Sequence, residues 1–272
     1  MARPALDGGY GDLGPVWDWQ RHRWVPAGNP QVVSPDGSAY VYTEADYNVG
    51  GAMPPDRLRI VSVSTGADRL LPTSGNNDYP IAWTKDGIYI VGLNFEASTS
   101  GLRVINPATG AEHLITASGS WIAISSGAAW GFEGFAYTNH NYPDLPQRFD
   151  RLDLATGKVT NWYLAPHPDN VHLAAVDLAG RPIVVVDEYH VFRLLGPSQV
   201  QPLFDSPVPL WDQTTPQVDP HGLWFTVAAA GAAADPFLFD KPSDVWLYSD
   251  STGLRKVAST QRDIVSIEGP CR

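Results

Sequence analysis

Six short hairpins punctuate this sequence at a near-regular interval, and their recurrence restricts its folding more than any other property. Three turn on Thr-Gly, within residues 61–66, 104–110 and 152–157, and two more lie within 191–196 and 245–253. The first pairs Val16–Trp19 with Arg23–Val25 around Gln20–His22. The turn glycines of the later five are Gly66, Gly110, Gly157, Gly196 and Gly253, at intervals of 44, 47, 39 and 57 residues. Glycine supplies the positive φ that such turns need.

A second strand pair precedes each of the later hairpins. Its turns are Ser34-Pro35-Asp36-Gly37, Thr84-Lys85-Asp86-Gly87, Ser125-Ser126-Gly127, Asp177-Leu178-Ala179-Gly180 and Asp219-Pro220-His221-Gly222. Asp and Pro open these turns and Gly closes them. The flanking runs, among them Ile88–Val91, Trp121–Ile124 and Ile183–Val186, are continuously apolar, as expected of strands covered on both faces. A unit of about 40–50 residues with four strands marks a β-propeller blade. Six hairpins predict an all-β, six-bladed propeller of four-stranded antiparallel blades, one domain over residues 1–272. Residues 1–15 are read as a loop or frayed end, and Gln31–Leu71 as the first complete blade. Only five strand pairs accompany six hairpins. The missing strand is assigned to Asp263–Glu268, pairing with the N-terminal strands in one shared blade and closing the ring, which leaves no open edge.

Val33-Ser34-Pro35-Asp36-Gly37-Ser38-Ala39-Tyr40-Val41-Tyr42 resembles the Ser-Pro-Asp-Gly repeat of TolB-type, WD40-like propellers. The other units keep mainly Asp-Gly or Gly, and no Trp-Asp dipeptide ends a blade. The resemblance implies the fold and leaves function open, because this repeat serves binding scaffolds, peptidase-associated domains and enzymes alike.

Composition narrows the partners. With 18 Lys+Arg against 29 Asp+Glu the formal charge is −11, which repels phosphate backbones and anionic lipid surfaces. Nucleic acid is therefore not an expected partner. No apolar run approaches the roughly 18–20 residues that span a bilayer, and the N-terminus has no signal-peptide core. A trimmed secreted form would look the same, so a secreted or envelope location is favoured over the cytoplasm. A single cysteine, Cys271, rules out an intramolecular disulfide and a cysteine zinc cluster. A monomer is expected. The string Gly9-x-Gly11-x-x-Gly14 lacks the strand and helix of a dinucleotide site and is followed by Pro15. Gly-x-Ser-x-Gly, His-Glu-x-x-His and Walker A motifs are all absent.

In a propeller the segments entering each first strand, and the loops between second and third strands, build one face. Here these loops are residues 44–57, 94–101, 133–150 and 228–244, and their length marks that face as the candidate binding surface. The expected ligand-binding set is Asp78, Tyr79, Trp121, Asn170, His172, Gln217 and Asp263. Tyr79 and Trp121 offer a stacking platform against core packing as the bland alternative. Asp78, Asp169, His172 and Asp263 are the donors if the channel holds a divalent cation such as calcium, the alternative being hydrated polar side chains. Asp46-Tyr47-Asn48-Val49-Gly50 lacks the distal ligands of a calcium loop, and Asn139–Asp144 reads as a solvated loop. His167 and His172 are spaced wrongly for a helical zinc pair. Asp187-Glu188-Tyr189-His190 reads as a surface turn. No cofactor is expected otherwise. The favoured function is noncatalytic binding of a protein, peptide or glycan, with a metal-dependent hydrolase or lactonase as the alternative and a scaffold fragment of a larger protein as the third reading.

Overall fold

The computed structural model describes residues 16–18, 23–25, 32–44, 57–72, 78–92, 101–132, 148–165, 171–207, 209–210, 216–228 and 243–260. All regular structure among them is antiparallel β. β1 (Val16–Asp18) pairs with β2 (Arg23–Val25) alone. β3 (Ala39–Glu44), β4 (Arg57–Ser62) and β5 (Asp68–Leu71) form a three-stranded sheet. Four-stranded meanders follow. The first is β6 (Asp78–Thr84), β7 (Gly87–Gly92), β8 (Leu102–Ile105) and β9 (Glu112–Thr116). Next come β10 (Ser120–Ser125), β11 (Ala128–Phe132), β12 (Arg148–Asp153) and β13 (Val159–Leu164). Then β14 (Val171–Val176), β15 (Pro182–Val186), β16 (His190–Gly196) and β17 (Gln199–Asp205). The last is β18 (Gln217–Asp219), β19 (Gly222–Ala228), β20 (Ser243–Ser249) and β21 (Gly253–Thr260).

The blade count of six is corrected to five. A hairpin counts a strand pair, and among the described residues the pair β1–β2 forms only a two-stranded sheet. Gln31–Leu71 is likewise reduced, since its expected first strand contributes one bridge, Val33 to Tyr40. Residues 263–268 lie outside the described residues. Two compact units are present. One comprises Met1–Ile124, Phe132–Tyr137 and Leu154–Gly157; the other comprises Ser125–Gly131, Thr138–Asp153 and Lys158–Arg272.

Burial follows strand position. β11 and β15 are buried along their whole length and β7 all but its last residue, as their unbroken apolar runs require. The outer strands β5 and β17 are largely exposed, and β9 is exposed or half-buried throughout. In the first unit, Val41, Leu58, Ile60, Leu71, Ile88 and Ile105 join two neighbouring sheets in one core. In the second, Val185, Val191, Leu210, Leu223, Phe225 and Tyr248 do the same, with Phe204 and Phe225 stacked at 5.5 Å.

The Ser-Pro-Asp-Gly turn shows why those residues recur. Gly37 N–H donates to Ser34 O at 2.8 Å, and Gly37 carries φ of 70°. Asp36 Oδ1 accepts from Ser34 Oγ at 2.6 Å, from Ser38 N at 3.0 Å and from Ser38 Oγ at 2.8 Å. Ser34 Oγ in turn accepts from Ala39 N at 2.9 Å. These bonds, the Ser34 hydroxyl foremost, hold the Asp36 carboxyl at about 2. A carboxyl depressed by folding stabilises the turn above its ordinary value of 3.8, and that contribution fades as pH falls towards about 2. Carboxyl-carbon NMR titration is expected to place the Asp36 midpoint there, and Ser34→Ala is expected to raise it. A midpoint near the ordinary value in both proteins contradicts the geometry.

One hairpin departs from its expected chemistry. In β16–β17, Gly196 pairs with Gln199 inside the ladder, and the positive φ of 57° falls on Ser198.

Candidate functional site

Every described candidate residue occupies the first or second position of the first strand in its sheet. Asp78 and Tyr79 open β6, Trp121 is second in β10, His172 is second in β14, and Gln217 opens β18. The repeat phase placed them at equivalent points, although Asp78 and Tyr79 begin a strand where the sequence suggested a connecting segment. Asp169, Asn170 and Asp263 lie outside the described residues, as do 46–50, 139–144, His167, the residue 9–14 glycines and Cys271.

Burial separates the candidates. The Asp78 side chain is 0% exposed and pairs with the Arg103 guanidinium from β8, while Arg103 Nη1 also donates to Glu112 Oε2 of β9 at 2.9 Å. The Asp78 carbonyl accepts from Thr43 Oγ1 at 2.8 Å. The carboxylate ties its strand to β8 of the same sheet, and the backbone carbonyl ties it to β3. Trp121 is 2% exposed, and its indole N–H donates to Ser118 O at 3.0 Å. A side chain there would crowd the ring, since a Cβ on Gly119 would sit 2.7 Å from the indole nitrogen. Trp121 is thus packed inside the fold. Tyr79 is 43% exposed, its position set by pairing with Val91, and it presents an aromatic ring to solvent. Gln217 and His172 are partly buried, opposite Trp224 and Val185 respectively.

Trp130 is a packing residue of its sheet. Trp130 stacks on Phe149 at 6.3 Å and meets the edge of Trp162 at 4.6 Å. Its indole N–H donates to Ser125 Oγ at 2.7 Å, and Arg151 lies 6.0 Å above its ring. Residues 187–189 form the expected turn, and His190 opens β16. Asp187 and Glu188 carry φ of 50° and 64°, and the chain after β17 crosses over them, with Leu210 N–H donating to Glu188 O at 2.7 Å. Next to it His190 Nδ1 lies 2.7 Å from Asp205 Oδ1, both exposed. Residues 148–150, expected in a loop, start β12.

An ionic network in the second unit escaped the reading of the sequence. Arg193 of β16 reaches Asp250 with Nη1 at 3.0 Å and Asp177 with Nε at 3.2 Å, and Arg181 Nη2 lies 2.7 Å from Asp177. The Arg193 hydrogen bond holds the Asp250 carboxyl below its usual range. The signal was present as an arginine in β4, β8, β12 and β16, namely Arg59, Arg103, Arg151 and Arg193, with none in β20. Between the sheets β14–β17 and β18–β21 lies a cavity of about 100 Å³ whose wall includes His172. Among the described residues no three His, Cys, Asp or Glu side chains come together as a metal site, and no helix is long and apolar enough to cross a membrane.

No protein-family model matches the chain, and no curated protein matches its sequence. Solved structures do. An oligogalacturonate lyase in complex with manganese superposes with a TM-score of 0.57 at 12% identity, over 85% of this chain and 64% of that one. TolB from Acinetobacter baumannii gives 0.52 at 12% identity, over 86% of this chain and 54% of that one. An oligogalacturonate lyase from Vibrio parahaemolyticus gives 0.54 at 11%, over 91% and 72%. The chain therefore spans less than two thirds of the first two. At such identity the likeness is one of fold: an all-β propeller with four-stranded antiparallel blades, as the TolB-type turn implied.

Proposed function

We propose that this chain is a noncatalytic ligand- or protein-binding β-propeller of the cell envelope or secreted fraction, recognising a protein, peptide or glycan through the starts of its first strands. The observation that carries the reading is the commitment of Asp78 to Arg103 inside the fold. A carboxylate held that way is poorly placed to bind a cation or move a proton. The strand starts also carry the Tyr79 ring, the His172 imidazole and the Gln217 amide, a set suited to stacking and hydrogen bonding. Asn170 and Asp263 complete the proposed set, with Asp78 and Trp121 positioning the strands that carry it. Closure of the ring by pairing of N- and C-terminal strands belongs to the same proposal.

Capture from peptide and glycan arrays tests it. Tyr79→Ala is expected to weaken capture by about ten-fold, as loss of an aromatic anchor does, with no change in Tm because the ring is half-exposed. Unchanged capture sinks the assignment. A second reading, a metal-dependent hydrolase or lactonase with a cation in the channel, is favoured by the fold shared with a manganese-bound lyase. It uses Asp169, His172 and Asp263, with Asp78 released from Arg103. A thermal-shift series with manganese and calcium separates the two: saturable stabilisation that is lost in His172→Ala supports the second reading, and its absence supports the first.

A further inference from the structure

We propose that the slot between the sheets β14–β17 and β18–β21 binds one small apolar molecule, of about the size of a single aromatic ring. This goes beyond the binding face discussed above and does not depend on it. The cavity measures about 100 Å³ and is partly open, so a ligand can enter without unfolding. Protein interiors hold few voids larger than a water molecule, and atoms lining one forfeit dispersion contacts. Water fills such a space only where two to four polar partners await it. Here the wall is built from Val185, Val191, Phe204, Leu210, Leu223 and Phe225, and His172 is the single polar side chain among the lining residues.

Size and shape set the ligand class. An apolar cavity of about 150 Å³ stays dry and accepts benzene, and this smaller slot gains room through its open side. Phe204 and Phe225 lie nearly parallel, 5° between planes at 5.5 Å, and both line the space. A flat ring meets them with more contact than a branched chain of equal volume.

The test uses the full chain with benzene as the probe, followed by methyl-carbon NMR. Saturable shifts are expected at Val185, Val191 and Leu223. Ala174, which also lines the slot, offers a filling variant. Ala174→Leu is expected to weaken benzene binding by at least about ten-fold while keeping or raising the unfolding midpoint, since its side chain occupies the void. Shifts that do not saturate, or that persist unchanged in folded Ala174→Leu, overturn the proposal. Should Ala174→Leu fail to fold, wild-type crystals pressurised with xenon decide the matter: density against Phe204 and Phe225 supports the site, and an empty slot overturns it.

Discussion

Replacing Arg103 with Met is expected to cost about 3–5 kcal/mol of stability, the range for removing one partner of a buried ion pair. The Asp78 side chain is 0% exposed and that of Arg103 16%, so the variant leaves a carboxylate inside the fold without its cation. Hydrophobic packing by Met does not offset this, because the penalty lies in the charge that remains. Asp78→Asn in the same background is therefore expected to recover part of the loss, giving a coupling energy in the double-mutant cycle. Arg59 supplies the control. It holds the corresponding place one repeat earlier, 44 residues upstream, and pairs with Asp68 at 3.0 Å where the two side chains are 19% and 28% exposed. Its replacement by Met is expected to cost about 1 kcal/mol or less. Urea unfolding monitored by tryptophan fluorescence checks the wild type, Arg103→Met, Asp78→Asn, their double variant and Arg59→Met, and equal midpoints for Arg59→Met and Arg103→Met contradict the account.

Gly222→Ala is expected to be comparably damaging. Gly222 has φ of 143°, and an added Cβ would lie 2.0 Å from the Tyr248 carbonyl oxygen on the adjacent strand. Gly87 repeats the arrangement, with φ of 137° and the Ile105 oxygen at 2.5 Å. In both, the glycine opens the second strand directly beside a third-strand backbone, which cannot rotate away as a side chain can. Strain in a glycine-only region costs of order 1–3 kcal/mol, and forcing the ladder apart adds a similar amount. Gly127→Ala isolates the first term. Its φ is 72° with nothing within 4 Å of the new Cβ, so about 1–2 kcal/mol is expected. Chemical denaturation of the three alanine variants measures the difference, and a Gly222→Ala protein as stable as Gly127→Ala would falsify the steric argument.

The fold was readable because each strand pair is local. Asp-Gly and Thr-Gly turns, a period near 44 and continuous apolar runs all concern residues close in sequence, and the five sheets follow them. The blade count failed where a pair was taken for a sheet, at β1–β2. The candidate positions were readable to the extent that the repeat fixes phase, which put Asp78, Trp121, His172 and Gln217 at matching strand starts. Whether a side chain faces solvent was not, because that depends on residues distant in sequence. Arg103 lies 25 residues after Asp78, and only the register of β8 brings its guanidinium to the carboxylate. The Arg193 network needs two turns from different sheets, at Asp177 and Asp250, and each is an ordinary turn when read alone.

The connections between second and third strands vary far more than the strands they join. They hold 12 residues from β3 to β4, 9 from β7 to β8, 15 from β11 to β12, 3 from β15 to β16 and 14 from β19 to β20. Each of these strand pairs is nevertheless antiparallel within its sheet. Closing a flexible loop of 15 residues instead of 3 costs only about 1.4 kcal/mol more, since the entropy grows with the logarithm of length. Such segments can thus be lengthened or exchanged at small entropic cost while the sheets stay fixed, so that a new specificity can be grafted there by insertion, the β15–β16 corner excepted because residues 206–210 are hydrogen-bonded across it.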